Sequence, residues 1–156
     1  MADCPREFID FAAHLAEASG AVIRKYFRQP FDVITKADQS PVTIADRECE
    51  TVLRDLIEAE FPTHGILGEE HGGVREEAEY VWHLDPIDGT KSFIAGVPLF
   101  GTLIGLAQRI EGVPTPIMGV IDQPINHERW IGADGHGTTF NGDAITTRDC
   151  PSLATA

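Results

Sequence analysis

The sequence predicts an α+β fold in a single domain. Three observations carry that reading. Two segments, residues 5 to 27 and 43 to 61, repeat their apolar side chains at helical spacing. After Pro62 the period changes to short apolar runs that end in turn residues. No regular alternation of strand and helix follows, as a doubly wound sheet would require. A length of 156 residues is enough for one real core.

The first helix is predicted over residues 5 to 27. Phe8, Phe11, Ala12, Leu15, Ala18, Val22, Ile23 and Tyr26 share a helical face, and Pro5 suits its first turn. Gly20 weakens such a helix by about 1 kcal/mol relative to alanine unless another backbone packs there. A short strand is predicted around Asp32 to Thr35, followed by a polar loop. Thr43, with Asp46 three residues on, resembles a capping box and opens a second helix. Its apolar positions are Ala45, Cys49, Val52, Leu53, Leu56 and Ile57, and the pattern ends at Phe61-Pro62.

The strands come next. "HGILGEE" predicts a short strand that runs into acids, and Tyr80 to Leu84 a second. "GTLIGLAQRI" and "TPIMGVIDQP" predict two strands about the turn "EGVP". "HERWIGADG" adds another, and "TTFNGDAIT" a hairpin turning at Asn141-Gly142. The chain then ends without a helix for the second face of these strands. That face needs a layer from elsewhere, or the sequence is incomplete.

Composition narrows function. Acidic residues outnumber basic ones 25 to 12, a net charge of −13, which argues against a nucleic-acid partner and is compatible with cations or with a merely solvated surface. The cysteines Cys4, Cys49 and Cys150 form no metal-binding spacing, and reduced thiols in a cytoplasmic protein are expected. No signal-peptide pattern and no long apolar run is present, so no membrane partner is expected.

The stretch "HLDPIDGTKSF", residues 83 to 93, carries the chemistry. Pro86 biases Asp85 toward an extended strand end, Gly89 permits a tight turn, and Thr90 can open a short helix through Phe93. At ~4 Å apart, two carboxylates repel by about 4 kcal/mol at an effective dielectric of 20. They can hold a proton or share a divalent cation. Glu69 and Glu70 end another strand; if it lies beside the one ending at Asp85, Glu69 joins the cluster. Three carboxylates with the Ile87 carbonyl make a hard oxygen site of the kind Mg2+ takes. The backbone N–H groups of Gly89 and Thr90 could hold phosphate oxygens. The plainer alternatives stay open: ordinary Asp-Pro and Asp-Gly turns, Asp88 as a helix cap, Glu69 and Glu70 as a solvated strand end, and His83 as a structural histidine.

"SPVTIADRECE" at 40 to 50, "GEE" at 68 to 70 and "DPIDGTKSF" at 85 to 93 together resemble the magnesium-dependent inositol monophosphatase superfamily. "HLDPIDGTKSFIAGVPLFGTLIGL" and "QPINHERWIGADGHGTTFNG" most resemble its bacterial histidinol-phosphate phosphatase branch. The resemblance implies a layered αβαβα fold, of which this chain carries the N-terminal helix pair and antiparallel sheet. It implies two or three Mg2+ ions in a complete site. Glu69, Asp85 and the carbonyl of Ile87 would hold the first ion, and Asp85 would share a second with Asp88. Thr90, bonded to Asp46, would orient and deprotonate the attacking water, and Gly89 and Thr90 would bind phosphate. Lys36 would stand near the metal-bound waters, although it also reads as a surface-loop lysine. Asp46 equally suits a helix first turn.

The family's C-terminal half brings a Trp-Asp motif that this sequence lacks. Residues 1 to 156 are therefore expected to form the N-terminal metal-binding domain of such a phosphatase. The expected activity is Mg2+-dependent hydrolysis of L-histidinol phosphate in histidine biosynthesis. Inositol monophosphates and 3'-phosphonucleotides are the alternatives, and so is an inactive fragment that binds metal and associates with another chain. A homodimer, or association with the missing half, is expected.

Overall fold

The structure is a computed structural model and describes residues 3–30, 33–35, 41–152 and 154, with backbone alone at 33–35, 41 and 42. Lys36 and Asp32 lie outside the described residues.

Helix α1 spans Arg6–Tyr26, with Pro5 at its N-cap rather than inside its first turn. Glu7 in the first turn and Arg24 and Lys25 in the last complement the helix dipole. Gly20 is buried where the chain returns: a Cβ there would come 3.1 Å from Cβ of Pro124. Helix α2 spans Ile44–Glu60 and begins with a complete capping box. The Thr43 hydroxyl accepts from the N–H groups of Ala45 and Asp46, and the Asp46 carboxylate accepts from the Thr43 N–H.

Ahead of α2, β1 (Val33–Thr35) and β2 (Pro41–Thr43) form a small antiparallel pair. The sequence reading put β2 in a loop. The main sheet contains β3 (Gly65–Gly68), β4 (Gly72–Val74), β5 (Tyr80–Asp88), β6 (Gly101–Ile110), β7 (Val113–Gln123), β8 (Glu128–Ala133), β9 (Gly137–Phe140) and β10 (Asp143–Ile145). Their spatial order is β10-β9-β8-β7-β6-β5-β3-β4. A short helix α3, Thr90–Ile94, follows β5. The last turn has positive φ at both Asn141 and Gly142, as the hairpin reading requires.

Three details correct the sequence reading. The sheet is mixed: β3 and β5 run parallel while the other neighbours are antiparallel. The strand β4 is new, a three-residue partner of β3. The strand predicted to end at Asp85 continues to Asp88. Proline is tolerated there because pairing with β6 jumps from Asp85↔Leu103 to Asp88↔Gly101, a bulge where no ladder N–H is needed at Pro86.

Both long helices lie on one face of the sheet. Ile66, Trp82, Leu84, Ile104, Leu106, Met118 and Val120 pack there against Leu15, Ile23, Cys49, Leu53 and Ile57. The register places Leu67, His83, Gly105 and Gly119 across the opposite face, with Leu103 and Ile121 beside them. No described helix covers that side, and Leu67 and Ile121 remain 37% and 51% exposed. The unfilled second face expected from the sequence is therefore present among the described residues.

Candidate metal centre

The parallel pairing of β3 with β5 creates the site. Gly68 pairs with Leu84, so Glu69 and Asp85 come next along the two strands, side by side at the same end of the pairing. The Glu69 N–H donates to the Leu84 carbonyl at 3.1 Å and fixes this alignment. An antiparallel pair would have sent the acids to opposite ends.

Asp85 is the electrostatic focus. Its carboxyl is pushed up from 3.8 to about 7. Burial is the first cause, followed by the charge of Glu69, a carboxyl–carboxyl hydrogen bond with Glu69, and the charge of Asp88; a bond from the Ile87 backbone opposes them. One oxygen, Oδ1, is buried with no hydrogen-bond partner among the described residues. A buried unpaired carboxylate oxygen is costly. An oxygen-seeking cation would satisfy it and relieve the crowding of Glu69 and Asp88.

Around this pair the other predicted residues take distinct positions. Asp46 is buried at 2% exposure, and its Oδ2 accepts from the Thr43 hydroxyl at 2.5 Å. Its other oxygen faces the Thr90 hydroxyl at 3.5 Å. That hydroxyl has a nearer acceptor, the carbonyl of Ile87 at 3.1 Å. A single hydroxyl proton cannot serve both well, and the shorter contact is to Ile87. The Ile87 carbonyl keeps a second lone pair for another partner. Asp88 is exposed at the end of β5.

Gly89 turns the chain at φ +95° into α3, and a Cβ there would lie 2.9 Å from the Leu99 carbonyl. In α3 the Gly89 carbonyl accepts from the N–H groups of Ser92 at 2.8 Å and Phe93 at 3.2 Å, so the Thr90 and Lys91 N–H groups precede the first bonded turn. His83 is exposed on the helix-free face. Lys36 lies outside the described residues.

Among the described residues no three His, Cys, Asp or Glu side chains close into a finished metal cage. The donor set nonetheless fits a hard cation in two respects: all its atoms are oxygens, and one is buried and unpartnered. A cavity of about 820 Å³ lies elsewhere, between α1 and strands β7 to β9. Its Arg129 and Arg24 are paired with Asp122 and Glu17, and none of the acids above line it.

Glu50 is the functional candidate that sequence reasoning missed. It is fully buried on α2 one turn after Asp46, and it bonds the turn that carries Glu69. Its place inside the apolar stripe of α2 was the available signal.

Comparison with known proteins settles the lineage. Residues 5–156 match the model of the inositol monophosphatase family. The chain belongs to that family. It is 56% identical over 144 residues to the chloroplastic bifunctional phosphatase IMPL2 of Arabidopsis thaliana, covering 91% of this chain and 40% of that protein. It is 40% identical over 138 residues to the histidinol-phosphatase of Chlorobaculum parvum, covering 88% and 52% respectively. Among solved structures, an inositol monophosphatase from Zymomonas mobilis superposes with a TM-score of 0.77 at 46% identity, over 93% of this chain and 54% of that one. The inositol monophosphatase fold expected from the sequence is thus the fold observed. The chain spans about half the length of the relatives it matches.

Proposed function

We propose that this chain carries the metal-binding half of a Mg2+-dependent phosphomonoesterase, and that its substrate is L-histidinol phosphate. The observation that carries the reading is the buried, unpartnered Oδ1 of Asp85 beside Glu69 and Asp88. Family membership and the histidinol-phosphatase relative support hydrolysis of a phosphate ester.

Glu69, Asp85 and the Ile87 carbonyl would hold the first cation, and Asp85 and Asp88 would share the second. Mg2+ bound there supplies Lewis acidity, which lowers the pKa of water and offsets charge on the phosphate. The chain's own groups do the rest. With the Thr90 hydroxyl turned from the Ile87 carbonyl to Asp46, Thr90 would accept a proton from the attacking water and pass its own to the Asp46 carboxylate. Gly89 and Thr90 receive phosphate oxygens on backbone N–H groups. Lys36 is assigned to the same water network. No covalent phosphoenzyme is required.

The relatives are about twice as long, and we assign the helix-free sheet face to contact with a complementary layer. Turnover is assigned to the assembly that includes it, either in one chain or between chains, with a homodimer as the expected form. The free cysteines Cys4, Cys49 and Cys150 fit a reducing compartment, and a cytoplasmic location is proposed. No helix among the described residues is long and apolar enough to cross a membrane.

Calorimetry with Mg2+ tests the site directly. Binding to the 156-residue chain that disappears in Asp85→Asn supports the reading, and no binding by the unaltered chain ends it. Phosphate release from L-histidinol phosphate, inositol 1-phosphate and a 3'-phosphonucleotide, with and without Mg2+, then ranks the substrates. Asp88→Asn is expected to abolish release while the protein stays folded. Metal binding without release from any ester favours the inactive-fragment reading.

A further inference from the structure

We propose that Glu50 is a positioning residue for the acidic site. It packs over Gly68, holds the Glu70 and His71 N–H groups from α2, and so sets where the Glu69 carboxylate stands relative to Asp85. The inference rests on the metal-site reading above.

Glu50 has 0% exposure, an expensive place for a carboxylate unless it is fully bonded. It is bonded, with two of its three bonds going to one short segment. Its Oε2 accepts from the Glu70 N–H at 2.6 Å, and its Oε1 from the His71 N–H at 3.2 Å. Arg54, one helical turn on, donates from Nε to the same Oε1 at 2.7 Å. Arg54 also donates from Nη2 to the Gly72 carbonyl. Glu50 and Arg54 together therefore hold the backbone of residues 70 to 72, the turn between β3 and β4.

Gly68 makes the approach possible. A Cβ at that position would lie 1.9 Å from Glu50 Oε1, so the carboxylate fills the space a side chain would take. The consequence falls on Glu69. Its own N–H is tied to the Leu84 carbonyl, immediately before Asp85, and the next N–H is tied to Glu50. The peptide groups on both sides of Glu69 are fixed, one by the strand that bears Asp85 and one by α2. Asp46, four residues before Glu50 on the same buried face, reaches Thr90. One helix face thus holds the acidic turn and places a carboxylate oxygen 3.5 Å from the Thr90 hydroxyl.

A merely structural anchor and a positioning residue differ in what survives their loss. Removing an anchor changes stability alone, whereas removing a positioning residue weakens the metal in protein that remains folded. Glu50→Gln separates them. Glutamine keeps the size and one acceptor but presents an NH2 group to a site whose remaining partners are donors.

The test measures Mn2+ affinity by electron paramagnetic resonance on the 156-residue chain. Circular dichroism and melting in EDTA establish that each variant folds. Glu50→Gln that melts cooperatively is expected to bind Mn2+ about 10-fold or more weakly, the usual effect of losing a group that orients a ligand. Glu69→Gln serves as the reference. If Glu69→Gln weakens binding and folded Glu50→Gln binds as the unaltered chain does, the proposal is overturned while the metal site stands. If Glu69→Gln has no effect either, the metal-site reading fails and takes this proposal with it. Should Glu50→Gln not melt cooperatively, Glu50→Asp, which keeps the charge but shortens the reach, is read by the same two criteria.

Discussion

Trp82 donates its indole N–H to Nδ1 of His64 at 3.1 Å, inside a cluster with Phe8, Phe61 and Tyr80. An indole is a donor only, so Nδ1 is the unprotonated nitrogen and His64 is neutral, with its proton on Nε2. Burial lowers the His64 pKa below 6.5, opposed by the charges of Glu79 and Glu7. A group whose folded pKa is depressed stabilises the fold above its unfolded pKa, and that contribution is lost as pH falls through the folded value. His64 therefore contributes a fall in melting temperature from about pH 7.5 to about pH 5, read as the difference between the unaltered chain and a variant without the titrating ring. His64→Gln, which offers an acceptor to Trp82 without titrating, should flatten that slope. An equal slope in the variant would assign the acid sensitivity to other groups.

Asp85 carries the opposite sign. In metal-free protein its carboxyl titrates near 7 instead of 3.8. The folded state then keeps a proton that the unfolded chain releases, so stability is full below the unfolded value and declines as pH rises toward 7. In EDTA, Asp85→Asn is expected to remove this decline and to melt above the unaltered chain at about pH 8. Added Mg2+ should raise the melting temperature of the unaltered chain more at about pH 8 than at about pH 5, because proton and cation compete for one carboxylate. Equal shifts at both values would mean that Asp85 is not where the ion binds.

Thr43 stabilises α2 and holds Asp46 at once. It is fully buried, caps the helix and donates its hydroxyl to Asp46. Thr43→Ala should cost about 1–2 kcal/mol in a denaturant titration, the upper range for a lost N-cap. Thr43→Ser, which retains the hydroxyl, should cost less than half as much. A cost for serine equal to that for alanine would assign the loss to the missing methyl group and not to the cap.

The features legible in the sequence were those set by neighbours along the chain. Thr43 and Asp46 announced the start of α2, and Asn141-Gly142 announced the last hairpin. Asp85, Asp88 and Glu69 were recognisable because they follow apolar runs and precede turn residues. Features set by pairing at a distance were hidden. Residues 72 to 74, Gly-Gly-Val, have little strand preference of their own and become β4 only because β3 lies beside them. The parallel alignment of β3 with β5 is likewise tertiary, and it alone brings Glu69 to Asp85. Glu50 was hidden differently: it interrupts an apolar stripe, and an acid there resembles a defect until the N–H groups of Glu70 and His71 are seen to require it.

The helix-free sheet face gives a test of association. Ile121, half-exposed at 51%, lies beside Leu103 and above no described helix. Ile121→Lys should cost within about 0.5 kcal/mol in stability, as for an exposed substitution. It should also reduce self-association of the 156-residue chain in light scattering and lower its binding of an apolar dye. Unchanged association with this face charged would assign the contact to another surface.

Gly89 joins Asp88 to Thr90 in a conformation that side chains resist. Its φ is +95°, and an added Cβ would lie 2.9 Å from the Leu99 carbonyl and 3.2 Å from Cα of Phe100. The left-handed backbone alone costs an alanine roughly 1–2 kcal/mol. The clash with Leu99 adds to it, since the obstacle is backbone rather than a movable side chain. Gly89→Ala is therefore expected to destabilise the chain by at least that amount in a denaturant titration. Its effect should also reach the acids, because relief of the clash must move the 88–90 turn, and Asp88 and the Thr90 hydroxyl move with it. Mn2+ affinity should fall in protein still folded at low denaturant. A Gly89→Ala chain as stable as the unaltered one would show that the turn relaxes freely and that Asp88 is not held by it.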